Sequence, residues 1–166
     1  MDDEADGPSS RAAEPQDLVD LCRSLNAVGA RYVVIGGYAV ILYGFARGTK
    51  DIDLLVDTSI DNIQKIKKAL ASLPDNAIAE MQDDEVGKYS VVRIADEFVI
   101  DLMSKACGID FQHAIQDAEN IEVDNVMIPV ASKQTLIKTK QTIRPHDRTD
   151  INFLNLLIAE ENQKKS

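Results

Sequence analysis

Gly36-Gly37 and Asp51-Ile52-Asp53 stand a short helix apart within YVVIGGYAVILYGFARGTKDIDLLV. No other feature constrains the fold of this chain as strongly. The glycine pair follows a run of β-branched residues and turns into an apolar stretch. Residues 32–35 therefore read as a buried strand, 37–43 as a helix and 51–56 as a second strand. On a strand, residues i and i+2 point to the same face, which aims Asp51 and Asp53 at one spot. Two carboxylates so placed repel each other unless a cation lies between them. Hard divalent cations such as Mg²⁺ take one or two carboxylates together with phosphate oxygens. Glycines let the backbone approach a ligand closely, and a helix start offers N–H groups to an anion. A glycine pair alone is no more than a turn. Beside two aspartates it becomes a nucleotide–metal arrangement. Solvated acids on an edge strand would not be followed by Leu54, Leu55 and Val56, which mark a central strand.

A third carboxylate, Asp101, lies in FVIDLM, flanked by Ile100 and Leu102. A charge inside a strong β run is costly unless it is paired or functional. If this strand lies beside the Asp51 strand, the three acids converge. Two metal ions held there activate an attacking hydroxyl and stabilise a leaving pyrophosphate. Asp101 is then a metal ligand and the base for the incoming hydroxyl. The bland alternative ends an edge strand at Asp101, facing water.

The 166-residue length fits one domain. Residues 1–16 are acidic and poor in large apolar side chains, so a disordered tail is expected there, with residues 161–166 frayed. Between them, residues 17–160 read as one unit. Asp17 caps a first helix, and Ser59 caps a helix carrying Ile63, Ile66 and Leu70. Residues 77–81 read as a strand. Residues 88–94 and 98–103 read as a hairpin turning at 95–97, and 110–117 as a helix. A second hairpin turns at Asp124-Asn125. Ser132 caps a helix through residue 142, and 147–161 form the last one. Helices and strands mix without strict alternation. The expectation is α+β, a mixed sheet with helices packed mainly on one side. The net charge of −10 disfavours nucleic-acid binding through overall charge. Cys22 and Cys107 form no disulfide framework, and no run is long enough to cross a bilayer. A reducing cytoplasm is the expected location.

Gly-Gly after a hydrophobic strand, then Asp-x-Asp, then a distant strand-borne Asp resembles the nucleotidyltransferase superfamily that includes DNA polymerase beta. The form GGYAV…RGTKDIDLLV is most similar to small prokaryotic members, the minimal nucleotidyltransferases and AbiEii-like toxins of toxin–antitoxin and abortive-infection systems. The resemblance implies the nucleotidyltransferase fold. It also implies Mg²⁺-dependent transfer of a nucleoside monophosphate from an NTP to a hydroxyl, with two ions and Mn²⁺ as an alternative. By the same resemblance Gly36 and Gly37 hold the triphosphate, Asp51 and Asp53 bind both metals, and Asp101 binds one. Arg47 and Thr49 match an Arg-x-Thr segment of similar members. Many relatives carry Ser where this chain has Gly37.

LIKTKQTIRPHDRTDINFL is similar to the closing segment of such proteins, a Lys-bearing helix followed by an Arg-Pro-Lys-Asp-like turn and a further Asp. Here His146 replaces the lysine of the turn. Either Lys138 or Lys140 reaches the triphosphate and neutralises developing charge. Arg47 pairs with a phosphate, with Asp53, or in a structural ion pair. Asp147 and Asp150 are expected to cap and support the last helix, and Tyr38 and Tyr43 to pack in the core. The acceptor is a protein hydroxyl or a tRNA 3′ end, with a cationic small molecule as a third option. The partner is a toxin or antitoxin protein. The tRNA option needs a basic face, which Lys65, Lys67, Lys68, Lys133, Lys138, Lys140, Arg144 and Arg148 supply if they cluster. The competing class is a non-catalytic module that binds nucleotide or a partner on the same fold.

Overall fold

The computed structural model describes residues 10–165. The chain is α+β. Helix α1 (Pro15–Ala27) leads into strand β1 (Tyr32–Ile35), helix α2 (Gly36–Leu42) and strand β2 (Ile52–Val56). Helix α3 (Ile60–Leu70), a 3-10 turn (Ala77–Glu80) and the short helix α4 (Glu85–Lys88) follow. Next come β3 (Val91–Ala95), β4 (Val99–Met103), the small β5 (Lys105–Ala106) and β6 (Ile109–Asp110) pair, and α5 (Phe111–Gln116). Strands β7 (Glu119–Val123) and β8 (Val126–Val130) and helices α6 (Lys133–Thr139) and α7 (Pro145–Lys164) complete the chain.

Six strands form one mixed sheet in the order β3-β4-β2-β1-β8-β7. β1 runs antiparallel to β2, and β2 runs parallel to β4. Both expected hairpins form; β7–β8 turns at Asp124-Asn125 as expected, whereas β3–β4 turns one residue later, at 96–98, and Lys88 belongs to α4. Asp124 and Asn125 take φ of 51° and 67°, the left-handed pair that a two-residue hairpin turn requires. All four β1 residues are buried, as are Ile52, Leu54, Leu55 and Val56 of β2. The central strands are thus buried along their length.

Other differences have local causes. Helix α1 starts at Pro15, not at an Asp17 cap. Glu14 is the cap residue, and Asp17 reaches back to accept the Glu14 amide at 2.7 Å. Residues 1–9 of the expected tail lie outside the described residues, whereas 10–16 belong to the domain. Arg11 forms ion pairs with Asp17 and Glu97, both at 2.7 Å, and bridges to β4's approach at Phe98. Residues 77–81 coil as a 3-10 turn instead of a strand. The fully buried Asp96 carboxylate accepts the amides of Asp75, Ala77 and Glu97, fixing that loop against the hairpin. Helix α6 stops at Thr139, and α7 runs on to Lys164, past the expected fraying point. Phe153 of α7 stacks on Phe45 with centroids 4.6 Å apart, and Leu154 is fully buried, so α7 is docked on the body. No described helix is long and apolar enough to cross a membrane.

Candidate active site

One rung of the sheet brings the acids together. Ile35 pairs with Asp53, Asp53 with Asp101, and Asp101 with Arg93. Paired residues on neighbouring strands share a face, so Asp53, Asp101 and Arg93 project from the same side. Asp51, two residues before Asp53, joins them. Arg93 ties this group: its Nη2 donates to Asp51 Oδ2 at 3.1 Å, and its Nε to Asp101 Oδ1 at 3.0 Å. The convergence of Asp51, Asp53 and Asp101 is as the sequence suggests. The arginine among them is not.

Asp53 is held well above the ordinary carboxylate range. Burial is the main cause, followed by the charges of Asp101 and Asp51 and a hydrogen bond with Asp101. The folded state therefore binds this proton more tightly than the unfolded chain. Asp53's stabilising contribution is full below the ordinary carboxyl pKa, and it is lost as pH rises from there through the raised value. Asp53→Asn removes this loss. In EDTA, melting curves of the variant and the parent should separate as pH rises from about 4 to about 8. The variant should end with the higher melting temperature. Acids with lowered pKa, such as Asp57 beside Arg31, are common to both proteins and drop out of the difference.

The glycine pair fits around this site for two separate reasons. Gly36 has φ of +74°, and a Cβ there would strike the Asp53 carboxylate. Its backbone is therefore pressed against the acids, as only glycine permits. Gly36→Ala is expected to lower stability by about 3 kcal/mol, from left-handed strain plus displacement of Asp53, read as a fall in urea midpoint at constant m-value. At Gly37 a Cβ would meet the Arg47 guanidinium, and Thr49 Oγ1 at 2.6 Å. Arg47 and Thr49 thus fill the space that a side chain at residue 37 would need.

Opposite the acids stands a cationic wall. Lys140, just past α6, is buried, with Nζ 3.1 Å from Asp150 and 3.9 Å from Asp147. Arg47 Nε lies 3.4 Å from the same Asp150. It pairs there and not with Asp53. Asp150 is 1% exposed, and neither of its oxygens forms a hydrogen bond of good geometry, so it holds the two cations by charge alone. Asp147 is fixed by Thr142 Oγ1 at 2.5 Å and Arg144 Nε at 2.8 Å. These two aspartates do more than cap and support α7, the role expected from sequence. Of the two candidate lysines, Lys140 faces the site, and Lys138 is exposed on the far side of its turn.

These groups line a cleft of about 680 Å³. Its walls carry Arg47, Lys50, Lys105, Lys140 and Arg144 against Asp51, Asp53, Asp147 and Asp150. In a chain of net charge −10, the cleft is thus a local concentration of positive charge, though Arg47, Lys140 and Arg144 are paired with Asp147 or Asp150. Val91, Met103 and Ala106 add an apolar side, and Cys107 and His146 stand at its edge. Asp101 is 5% exposed beneath Arg93 and is not on the cleft wall, so the expected base is not in contact with the open space. Among the described residues, no group of three or more His, Cys, Asp or Glu side chains is placed so that it could hold a metal ion as it stands. The three acids supply only oxygen donors, the chemistry that suits Mg²⁺ or Mn²⁺. Tyr38 and Tyr43 do not face the cleft. Their hydroxyls donate to Ala13 O and Ala131 O at 2.6 and 2.8 Å, as core residues.

No protein-family model matches the chain, and no curated protein is significantly similar to it. What points to function is the set of residues and their arrangement.

Proposed function

We propose that this protein is a nucleotidyltransferase of the polymerase beta-like fold, moving a nucleoside monophosphate from an NTP to a hydroxyl acceptor. The observation that carries this reading is that Asp53 and Asp101 share a rung and Asp51 lies close beside them, next to Gly36-Gly37 and across a cleft from Arg47 and Lys140. In the reaction, the acceptor oxygen bonds to the α-phosphorus and the bond to the β-phosphate oxygen breaks. Pyrophosphate leaves, and the acceptor proton passes to a carboxylate of the acid trio. Asp51, Asp53 and Asp101 would hold Mg²⁺, which polarises the phosphate oxygens and the attacking hydroxyl. Lys140 and Arg47, pre-set by Asp150, face the triphosphate and offset the charge on the departing pyrophosphate.

A protein hydroxyl suits the acceptor better than a tRNA. Several lysines expected to form a basic face are neutralised: Lys65 by Asp61, Lys67 by Asp83, and Lys133 by Glu161. The proposed setting is a toxin–antitoxin or abortive-infection pair, in which the partner protein carries the hydroxyl. A binding module without catalysis is the second reading, favoured by Arg93's hold on Asp51 and Asp101.

Calorimetric titration with a non-hydrolysable ATP analogue separates nucleotide binding from its absence. Binding that requires Mg²⁺ and weakens in Asp51→Asn is expected. Binding indifferent to both Mg²⁺ and Asp51 would contradict the assignment.

A further inference from the structure

We propose that Arg93 is the resident counter-cation of the acid trio, and that a divalent metal binds by exchanging with it. This rests on the reading of Asp51, Asp53 and Asp101 as metal ligands.

Three observations lead to it. First, one guanidinium satisfies two of the three acids: Nη2 reaches Asp51 Oδ2 at 3.1 Å and Asp101 Oδ2 at 3.2 Å, while Nε reaches Asp101 Oδ1 at 3.0 Å. The planar fork matches carboxylate geometry and spans the pair as a bridging cation would. Second, Asp101 is kept off the cleft wall in this arrangement, so a metal in the cleft reaches only Asp51 and Asp53 until the guanidinium moves. Third, Arg93 is placed to move. It sits on β3, the edge strand of the sheet, and its side chain is 29% exposed. A long side chain on an edge can swing outward while the ladder between β3 and β4 stays intact.

The physical logic is charge balance. Three carboxylates gathered this closely repel strongly without a cation. Arg93 relieves that repulsion in the metal-free protein and resists a metal of the same sign of charge. Removing it should raise metal affinity while weakening the metal-free fold. A merely structural arginine would leave metal affinity unchanged.

The test is Mn²⁺ binding by the full-length chain, followed by the electron paramagnetic resonance of free Mn²⁺, for the parent, Arg93→Gln and Arg93→Lys. Lys105→Gln, a cleft cation not paired with the acids, controls for general loss of positive charge. The expected result is about tenfold tighter binding in Arg93→Gln, an intermediate gain in Arg93→Lys and little change in Lys105→Gln. Equal affinity in the parent and Arg93→Gln, or an equal gain in Lys105→Gln, overturns the exchange and leaves the metal reading intact. Absence of Mn²⁺ binding from the parent and Arg93→Gln alike removes the metal reading and the exchange together. The parent protein gives a second readout that does not depend on folding of the variants. The Arg93 Nε–H resonance should lose its hydrogen-bonded shift as Mg²⁺ saturates the site. A resonance that stays unmoved at saturation contradicts the exchange.

Discussion

Asp51→Asn and Asp53→Asn are each expected to lower nucleotide transfer by on the order of a thousandfold or more, with the chain still folded. The substitution keeps the side chain's size and removes the negative charge that a divalent cation needs. Metal-ion stabilisation of a phosphoryl transition state supplies several kcal/mol, and each 1.4 kcal/mol is about a factor of ten in rate. Asp53→Asn makes the sharper case, because it should lose activity and gain stability together. Its carboxylate is held above the ordinary range by burial and by Asp101 and Asp51. Removing the charge relieves that strain in the metal-free protein. Initial rates of label incorporation, measured beside thermal melts in EDTA, separate the two effects. Loss of activity accompanied by a lower melting temperature would point to misfolding instead of missing chemistry.

Lys140→Ala is the second large effect, and it falls on stability. Lys140 is the shared cation of Asp147 and Asp150, both nearly inaccessible to solvent. Deleting one partner of a buried ionic group leaves uncompensated charge and costs about 3–5 kcal/mol. Arg47 and Arg144 offset part of this, since each also pairs with one of the two acids. Lys140→Ala with Asp150→Asn should recover part of the loss, and with the two single variants it closes a double-mutant cycle that reads the coupling directly. Lys138→Ala, on the exposed side of α6, should leave the denaturation midpoint where it was. Equal effects at Lys138 and Lys140 would mean that the buried network is not what fixes α7 against the cleft.

Much of this site is legible in the sequence, and the parts that are not share one cause. The strands that carry or adjoin Asp51, Asp53 and Asp101 are written as short, mainly apolar runs, IDLLV and VIDLM, which need only local information. Helix starts at Ser59 and Ser132 are equally local, and each hydroxyl does accept an amide three residues on. Arg93 was hidden by register. A hairpin turning at 95–97 puts Arg93 opposite Val99, whereas the pairing found is shifted and puts it opposite Asp101. A two-residue slip keeps every side chain on its face and changes only its partner, so hydrophobic pattern cannot detect it. Asp147 and Asp150 were hidden differently. Acids in a helix's first turns usually serve the helix itself. Their partners Lys140 and Arg47 come from other elements, and Arg47 is brought in by a loop far away in the chain. The 3-10 turn at residues 77–80 likewise depends on the distant Asp96.

The central claim is α-phosphorus transfer at the Asp51–Asp53–Asp101 cleft. Its most direct measurement compares α- and γ-labelled NTPs, incubated with the protein, Mg²⁺ and separate cellular protein and RNA fractions. Label from the α position should enter the protein fraction, label from the γ position should appear as pyrophosphate, and Asp51→Asn should do neither. Mg²⁺-dependent nucleotide binding with no α-label in either fraction would contradict transfer and leave a binding module. Label arriving from the γ position would mean a different reaction at the same cleft.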